Sequence, residues 1–372
     1  MRVVFLAWRD LANSRAGGSE VLVDRLARGM GERGWDVAVV CGSPVGSREY
    51  DVVANGGTYT QYLTAPVRLP RSPRPDVIVD VSNGIPFFSP LWQRRPVICL
   101  THHVHATQWG QTFPRPVAAA GWFLERRVVP LVYRRQHFVA VSASTFDDLV
   151  RSGVRGARIS TITNGVDPEP AREPDEVSTT PRFVAVGRLV PHKGVDRLLV
   201  AWRRVRPAVG GELIVVGDGP ERATLERDAP PGVRFVGRVD DAEKRALLRS
   251  AWALVHGAHQ EGWGIVIMEA AAHGVPAIGF DVAGVRDAIV ADRTGLVATD
   301  DIDGFARQWM RIATDHDLRG SLGSHAQVRA GELGWTQTVD DFTAVATAVA
   351  EGRAVGAVGT GRDGVGSGPP AK

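Results

Sequence analysis

The chain alternates short β-branched runs with longer amphipathic stretches, and it does so twice. Runs at 3–7, 36–40, 77–81, 97–100 and 138–141 read as strands, and the pattern restarts at 183–186, 212–216, 233–236, 253–256 and 277–280. Between the first two runs, Val21, Leu22, Leu26 and Met30 recur at helical spacing, which predicts a helix over 20–33 with one apolar face. Strand, helix and strand in that order build a parallel sheet, because the helix carries the chain back to the end where the next strand begins. The interruption at 167–182 holds Pro168, Pro170, Pro174 and Pro181 among charged residues. Proline lacks the amide hydrogen that helix and sheet both need, so neither continues through this stretch. The fold class is therefore α/β with two Rossmann-like domains, residues 1–167 and 183–335, joined by a linker over 168–182. A helix over 336–351 is expected to pack back toward the first domain. The remainder, 352–372, has seven glycines, two prolines and no aromatic, and is expected to be a disordered tail.

Composition works by exclusion. A formal net charge of +3 over 372 residues demands no polyanion, so nucleic acid is not expected as a partner. Cys41 and Cys99 each lie in an apolar strand-like run without close Cys or His neighbours, so they read as buried, reduced thiols. No apolar run reaches the roughly 18 residues of a membrane span, and the opening apolar run ends in charge at Arg9-Asp10, unlike a signal peptide. A cytoplasmic protein is expected, peripheral at most on the inner face of the membrane.

Chemistry concentrates in three glycine-punctuated turns. Gly17-Gly18-Ser19-Glu20 follows the first strand and opens a helix, where N–H groups and the positive helix end can face an anion. It is not a G-x-G-x-x-G fingerprint, and no acid sits at the end of the second strand, which disfavours NAD. Gly187-Arg188 through Lys193-Gly194 also follows a strand and precedes a helix. Its two cations, five apart, can close on one diphosphate, Arg as a planar fork and Lys as a point charge. Finally, Glu261 and Glu269 stand eight positions apart across Gly262-Trp263-Gly264 and a helix-forming segment. At about 1.5 Å per helical residue they are held roughly 10 Å apart, too wide for the ~5 Å pair of a retaining glycosidase. They suit either the two ends of a long polar ligand such as a nucleotide-sugar, or a helix whose glutamates cap it and face water.

In this order, Gly17-Gly18-Ser19-Glu20, Thr101-His102-His103, Val141-Ser142, Asn164-Gly165-Val166-Asp167, Gly187-Arg188 with Lys193-Gly194, Val216-Gly217-Asp218-Gly219-Pro220, Phe235-Val236-Gly237 and Glu261 to Glu269 resemble the retaining glycosyltransferases of family 4, glycosyl transferases group 1. The resemblance runs to about residue 345 and is stronger in the second half. It implies the GT-B fold, two Rossmann-like domains facing across a cleft, with the nucleotide-sugar donor in the second and the acceptor mainly in the first. It implies a catalytic set of His103, Glu261, Arg188 and Lys193. Arg188 and Lys193 would hold the donor diphosphate, Glu269 the ribose and Glu261 the transferred sugar, with Gly262, Trp263 and Gly264 beside it. Backbone at Gly237 and Arg238 would meet the base, and Gly17 and Gly18 would admit phosphates or acceptor. The implied reaction is transfer of a hexose from a UDP- or GDP-linked donor to a hydroxyl of a glycan, lipid-linked sugar or small metabolite, with retention and with neither metal nor cofactor. Another GT-B nucleotide-sugar enzyme, an epimerase or hydrolase, is the alternative, and a non-catalytic nucleotide-sugar binder is the alternative from outside enzymology.

Three further features need placing. In Thr101-His102-His103-Val104-His105, an extended chain puts His103 and His105 on one face and His102 on the other. No acid or cysteine is nearby in sequence to complete a metal site. Asp301-Ile-Asp303 precedes a helical stretch and reads as helix capping rather than as a manganese ligand. The basic, aromatic segment 108–137 fits either a packed helix pair with a solvated arginine edge or a surface that meets an anionic membrane, and Pro130 is expected to split it.

Overall fold

The computed structural model describes residues 1–57, 59–68, 74–105, 108–170 and 172–356. Strands β1 (Arg2–Arg9), β2 (Asp36–Gly42), β3 (Asp51–Ala54), β4 (Val77–Ser82), β5 (Val97–Thr101), β6 (His137–Ala140) and β7 (Ile159–Thr161) form one sheet, in the order β3-β2-β1-β4-β5-β6-β7. Strands β8 (Arg182–Val186), β9 (Glu212–Val216), β10 (Val233–Gly237), β11 (Ala253–His256), β12 (Ala277–Phe280) and β13 (Gly295–Ala298) form the other, in the order β10-β9-β8-β11-β12-β13. Every pairing between them is parallel. β4 and β12 are buried along their whole length, as sheets covered on both faces require. Both orders reverse once, between β1 and β4 and between β8 and β11. Loops leave the carboxyl ends there in diverging directions, and a crevice opens that ligands use.

All ten runs read as strands are strands. Three more, β3, β7 and β13, are only three or four residues long. All three close sheet edges, and runs this short leave little periodic signal, in β3 further weakened by exposure. The helix at Gly18–Glu32 buries Leu22, Leu26 and Met30, the spacing read from sequence.

The interruption between the sheets is fastened rather than free. Its Pro174–Glu176 segment makes a 3-10 turn. Trp252 Nε1 donates to Ser178 O at 2.8 Å, Arg249 pairs with Glu176, and Arg172 donates to Ala251 O. The last helix, Trp335–Ala350, returns to the first sheet. Phe342 stacks on Phe5 with centroids 6.0 Å apart, and Val339 lies so close to Gly29 that a Cβ there would stand 2.7 Å from it. Val166 N donates to Leu333 O at 2.8 Å where the two crossings meet. The glycine-rich stretch from 357 onward lies outside the described residues.

Pro130 does not split its segment. Arg115–Phe123 is α-helical, Leu124–Val128 forms a π turn and Val129–Val132 continues the helix, with right-handed backbone throughout. A π turn shifts the hydrogen-bond ladder by one residue, so the missing proline N–H falls where no bond is required.

Backbone contacts between strand exits set the cleft floor. Gly217 has φ +131° and a Cβ there would stand 1.9 Å from Gly187 O. Gly217→Ala is expected to lower unfolding free energy by roughly 2 kcal/mol or more, read as the urea midpoint. Gly187→Ala, with nothing within 4 Å of its Cβ, should change it little.

Candidate active site

The turn after β8 carries Arg188 and then the 3-10 turn Pro191–Lys193, closed by Gly194 in the left-handed region (φ +59°). A Cβ on Gly194 would fall 2.1 Å from Gly257 O, so only glycine lets this turn lie against the exit of β11. His259 N donates to His192 O at 3.0 Å and seals the contact. Lys193 is thereby delivered to Glu261, and the two form an ion pair.

Glu261 Oε1 also meets His256 Nε2 at 3.0 Å. Burial alone would push the Glu261 carboxyl up, but the Lys193 charge and the His256 hydrogen bond outweigh it and hold it well below the usual carboxylate range. Arg188 is half-buried, and burial, then the neighbouring Arg9 cation, lower its pKa while Glu20 and Glu261 oppose that. The Arg188 guanidinium makes no hydrogen bond or ion pair among the described residues. A guanidinium drawn out of water without a protein acceptor is a strong seat for an anion.

Across the cleft, β5 ends at Thr101 and leads into the histidines. The rings of His103 and His105 stack at 4.1 Å on one face, as the extended reading expected, and His102 is buried on the other. His103 Nε2 lies 3.3 Å from Gln108 Oε1. Burial and the neighbouring His105 keep His103 well below the ordinary histidine range, with Gln108 and Glu261 opposing, so its ring is neutral at pH 7. The sequence shows no acid beside these histidines, but the fold brings one. Glu125 Oε1 accepts from His105 N at 2.7 Å, and its other oxygen accepts from Trp109 Nε1 at 2.9 Å. Among the described residues no group of three or more His, Cys, Asp or Glu side chains could hold a metal.

Gly17 and Gly18 stand at the N-terminus of Gly18–Glu32, but the anion site is partly filled. Glu20 Oε2 accepts from Gly17 N at 2.7 Å, while Glu20 Oε1 takes Arg9 Nε at 3.2 Å, both side chains buried. One of the N–H groups reserved for a ligand is therefore occupied by the helix's own carboxylate. A Cβ on Gly17 would sit 3.9 Å from Arg188 Nε, and one on Gly18 3.1 Å from Ile265 Cδ1, so this turn abuts the second domain. Arg238 reaches across to Ser14 O, and a Cβ on Gly262 would lie 2.6 Å from His102 O.

Gly237 ends β10 with φ +77°, its carbonyl accepting from Gly217 N at 2.7 Å. Gly264 (φ +81°) starts the helix Ile265–Ala272 that carries Glu269. Glu269 Oε1 accepts from Lys244 Nζ at 3.0 Å, with Lys244 donated by helix Asp241–Ser250. Trp263 is buried against the apolar core, with its indole Nε1 left without a hydrogen-bond partner among the described residues. His256, Lys244 and Arg9 were not singled out from sequence, where nothing separates them from other polar residues at strand ends and on helix faces. Asp301 caps Ile302–Thr314 by accepting from Gly304 N at 2.6 Å, and Asp303 pairs with Arg204, as helix capping implied.

Two parallel sheets opening a crevice at facing switch points define a GT-B protein. The description "Glycosyltransferase Family 4" matches residues 16–170 and "Glycosyl transferases group 1" matches residues 180–315. The chain belongs to this glycosyltransferase family. It is 32% identical to a glycogen synthase of Mycobacterium tuberculosis over 269 residues, 67% of this chain and 61% of the synthase. The match thus spans less than two thirds of that relative's length. A GDP-mannose-dependent alpha-mannosyltransferase of Mycolicibacterium smegmatis is 29% identical over 336 residues, covering 82% of this chain and 86% of that protein. Among solved structures, Anabaena HepE in complex with UDP and glucose superposes with TM-score 0.75 at 17% identity over 94% of this chain and 100% of that one. Sucrose-phosphate synthase of Thermosynechococcus elongatus does so with TM-score 0.79 at 18% identity, over 92% and 98%. At such identities these structures speak to the fold.

The buried histidine gives a pH test. Burial, then His105, lowers His102 from 6.5 to about 4, and its Nε2 is buried without a partner. Between those values the unfolded chain binds more protons than the folded one. The contribution is complete above pH 6.5 and is lost as pH falls toward 4, by at most about 1.4 kcal/mol per pH unit. Urea midpoints at pH 7 and pH 5 should show this fall, and it should be shallower in His102→Gln.

Proposed function

We propose that the chain is a retaining, metal-independent glycosyltransferase that moves a hexose from a UDP- or GDP-linked donor to an acceptor hydroxyl. The observation that carries this is Arg188, a half-buried guanidinium with no protein acceptor, beside Lys193 at the switch point between β8 and β11. A diphosphate seated there completes both cations. As the bond from the sugar's anomeric carbon to the diphosphate oxygen breaks, charge grows on that oxygen, and Arg188 and Lys193 stabilise it more than in the ground state. The acceptor oxygen forms its bond on the same face, and its proton passes to the departing phosphate oxygen. Glu261 orients the sugar hydroxyls as an anion, Glu269 the ribose, and neutral His103 donates from the opposite wall to the sugar and leaving phosphate. Relatives named for GDP-mannose and a neighbour solved with UDP and glucose support the donor class.

The electrostatics weigh against an epimerase or hydrolase in which Glu261 is the acid. That role needs a protonated carboxyl, and Glu261 is held ionised by Lys193 and His256. Thermal unfolding with UDP, GDP, UDP-glucose and GDP-mannose, with and without EDTA, tests the reading. One nucleoside diphosphate should shift the midpoint irrespective of EDTA. Arg188→Ala or Lys193→Ala should weaken its binding about tenfold or more, since each charge-assisted bond is worth roughly 1.5 kcal/mol upward. A change under about threefold, ~0.7 kcal/mol, rejects the assignment.

The acceptor side includes the helical run at 115–132. Phe113, Val117, Trp122, Phe123 and Leu131 are exposed there, beside exposed Arg115, Arg127, Arg134 and Arg135, and the segment's one acid, Glu125, is buried. We propose a peripheral contact between this surface and anionic lipid, consistent with a lipid-linked acceptor. The chain should sediment with phosphatidylglycerol vesicles and not with phosphatidylcholine vesicles, and Trp122→Ser with Phe123→Ser should abolish the difference. Equal recovery from both lipids rejects the contact.

A further inference from the structure

We infer that His256 and Lys244 are positioning residues, each tethering one oxygen of a ligand carboxylate so that the other oxygen is presented to the donor. The inference rests on the donor assignment above and extends it to residues outside the binding set. Glu261 Oε1 takes both Lys193 and His256 Nε2, the latter at 3.0 Å, and Oε2 accepts no hydrogen bond among the described residues. Glu269 repeats the arrangement. Its Oε1 takes Lys244 Nζ at 3.0 Å, and its Oε2 likewise accepts none.

Each tether is itself held. His256 is the last residue of β11, a strand flanked by β8 and β12, and is 5% exposed, so its ring has little room to turn. Lys244 also pairs with Asp241 Oδ1 at 3.2 Å one turn earlier on the same helix. The terminal torsion of a free glutamate is broad and nearly two-fold, and a donor fixed on one oxygen removes that freedom. The need is sharper at Glu261. An arriving diphosphate draws Lys193 toward the phosphates, and His256 then remains as the carboxylate's protein donor. Without it, Glu261 would follow Lys193 or rotate away from the sugar.

The test uses the full chain and isothermal titration with UDP, GDP, UDP-glucose and GDP-mannose, comparing each bare nucleoside diphosphate with its sugar conjugate. In His256→Leu, affinity for the bare diphosphate should stay within about twofold while the extra affinity contributed by the sugar is lost. His256→Gln, which restores a nitrogen donor, should recover it. In a Glu261→Gln background His256→Leu should have no further effect, because the two act as one unit. Lys244→Met should weaken the bare diphosphate itself about fivefold with the sugar preference kept, and Lys244→Arg should recover part of the loss. A loss of both affinities together in His256→Leu and His256→Gln would mark a purely structural role and overturn the inference. So would a sugar preference that survives His256→Leu, or a wild-type chain that binds conjugate and bare diphosphate equally. Unchanged diphosphate affinity in Lys244→Met overturns the Lys244 half. Failure of the wild-type chain to bind any of the four ligands would overturn the donor assignment, and this inference with it.

Discussion

Lys193 and Glu261 come from loops after adjacent strands of one sheet, and the ion pair between them organises the cleft. Burying two charges costs several kcal/mol each unless their remaining hydrogen-bonding capacity is met. Here His256 supplies part of that, and the backbone supplies the geometry. Gly194 and Gly257 touch at a distance that no side chain permits, which brings the β8 turn down onto the β11 exit. Replace either glycine and the lysine no longer arrives at the carboxylate. The pair is thus better understood as fixing a position than as contributing stability, because an apolar pair of similar volume would stabilise the fold at least as well.

The same logic runs across the two domains. The turn at Gly17 and Gly18 has extended rather than left-handed backbone at Gly17, and a Cβ there would make only ordinary contacts, 3.9 Å from Arg188 Nε. The tighter approach is at Gly18, where a Cβ would stand 3.1 Å from Ile265 Cδ1 of the second domain. Glu20 holds that turn through Gly17 N and at the same time holds Arg9, which packs over Trp8 with its guanidinium carbon 4.2 Å from the ring centroid. A carboxylate from the first domain therefore sits between the cations of both, and the helix Trp335–Ala350 anchors the second domain's chain end on the first sheet.

Legibility followed physical rules that differ from element to element. Central strands such as β4 and β12 were readable because strands buried on both faces must be nearly all apolar, whereas β3, β7 and β13 are short edges. The proline rule failed at Pro130 because it assumes an unbroken α-helical ladder, and the π turn at Leu124–Val128 relaxes that assumption. Among the proposed cleft residues, Arg188, Lys193, Glu261 and Glu269 stood out in the sequence because glycines beside them announced tight turns. His256, Lys244 and Arg9 carried no such flag. His256 looks like any strand residue, Lys244 lies 25 positions from the carboxylate it meets, and what selects them is side-chain direction.

Charge balance ties these observations to one kind of ligand. Around the crevice Arg9, Arg188, Arg238 and Lys193 outnumber the facing carboxylates Glu20 and Glu261, and burial, then Arg9, disfavours the charge on Arg188. Like charges held together in partial burial are stable only if an anion joins them or water screens them. Glu20 is engaged on both oxygens by Arg9 and Gly17 N, and Glu261 is held through Oε1 by Lys193 and His256, and neither pairs with Arg188. A diphosphate answers that excess directly, and its arrival frees nothing that must then be buried unpaired. A neutral sugar or a carboxylic acid would leave part of the excess uncompensated, which favours the proposed diphosphate seat over either.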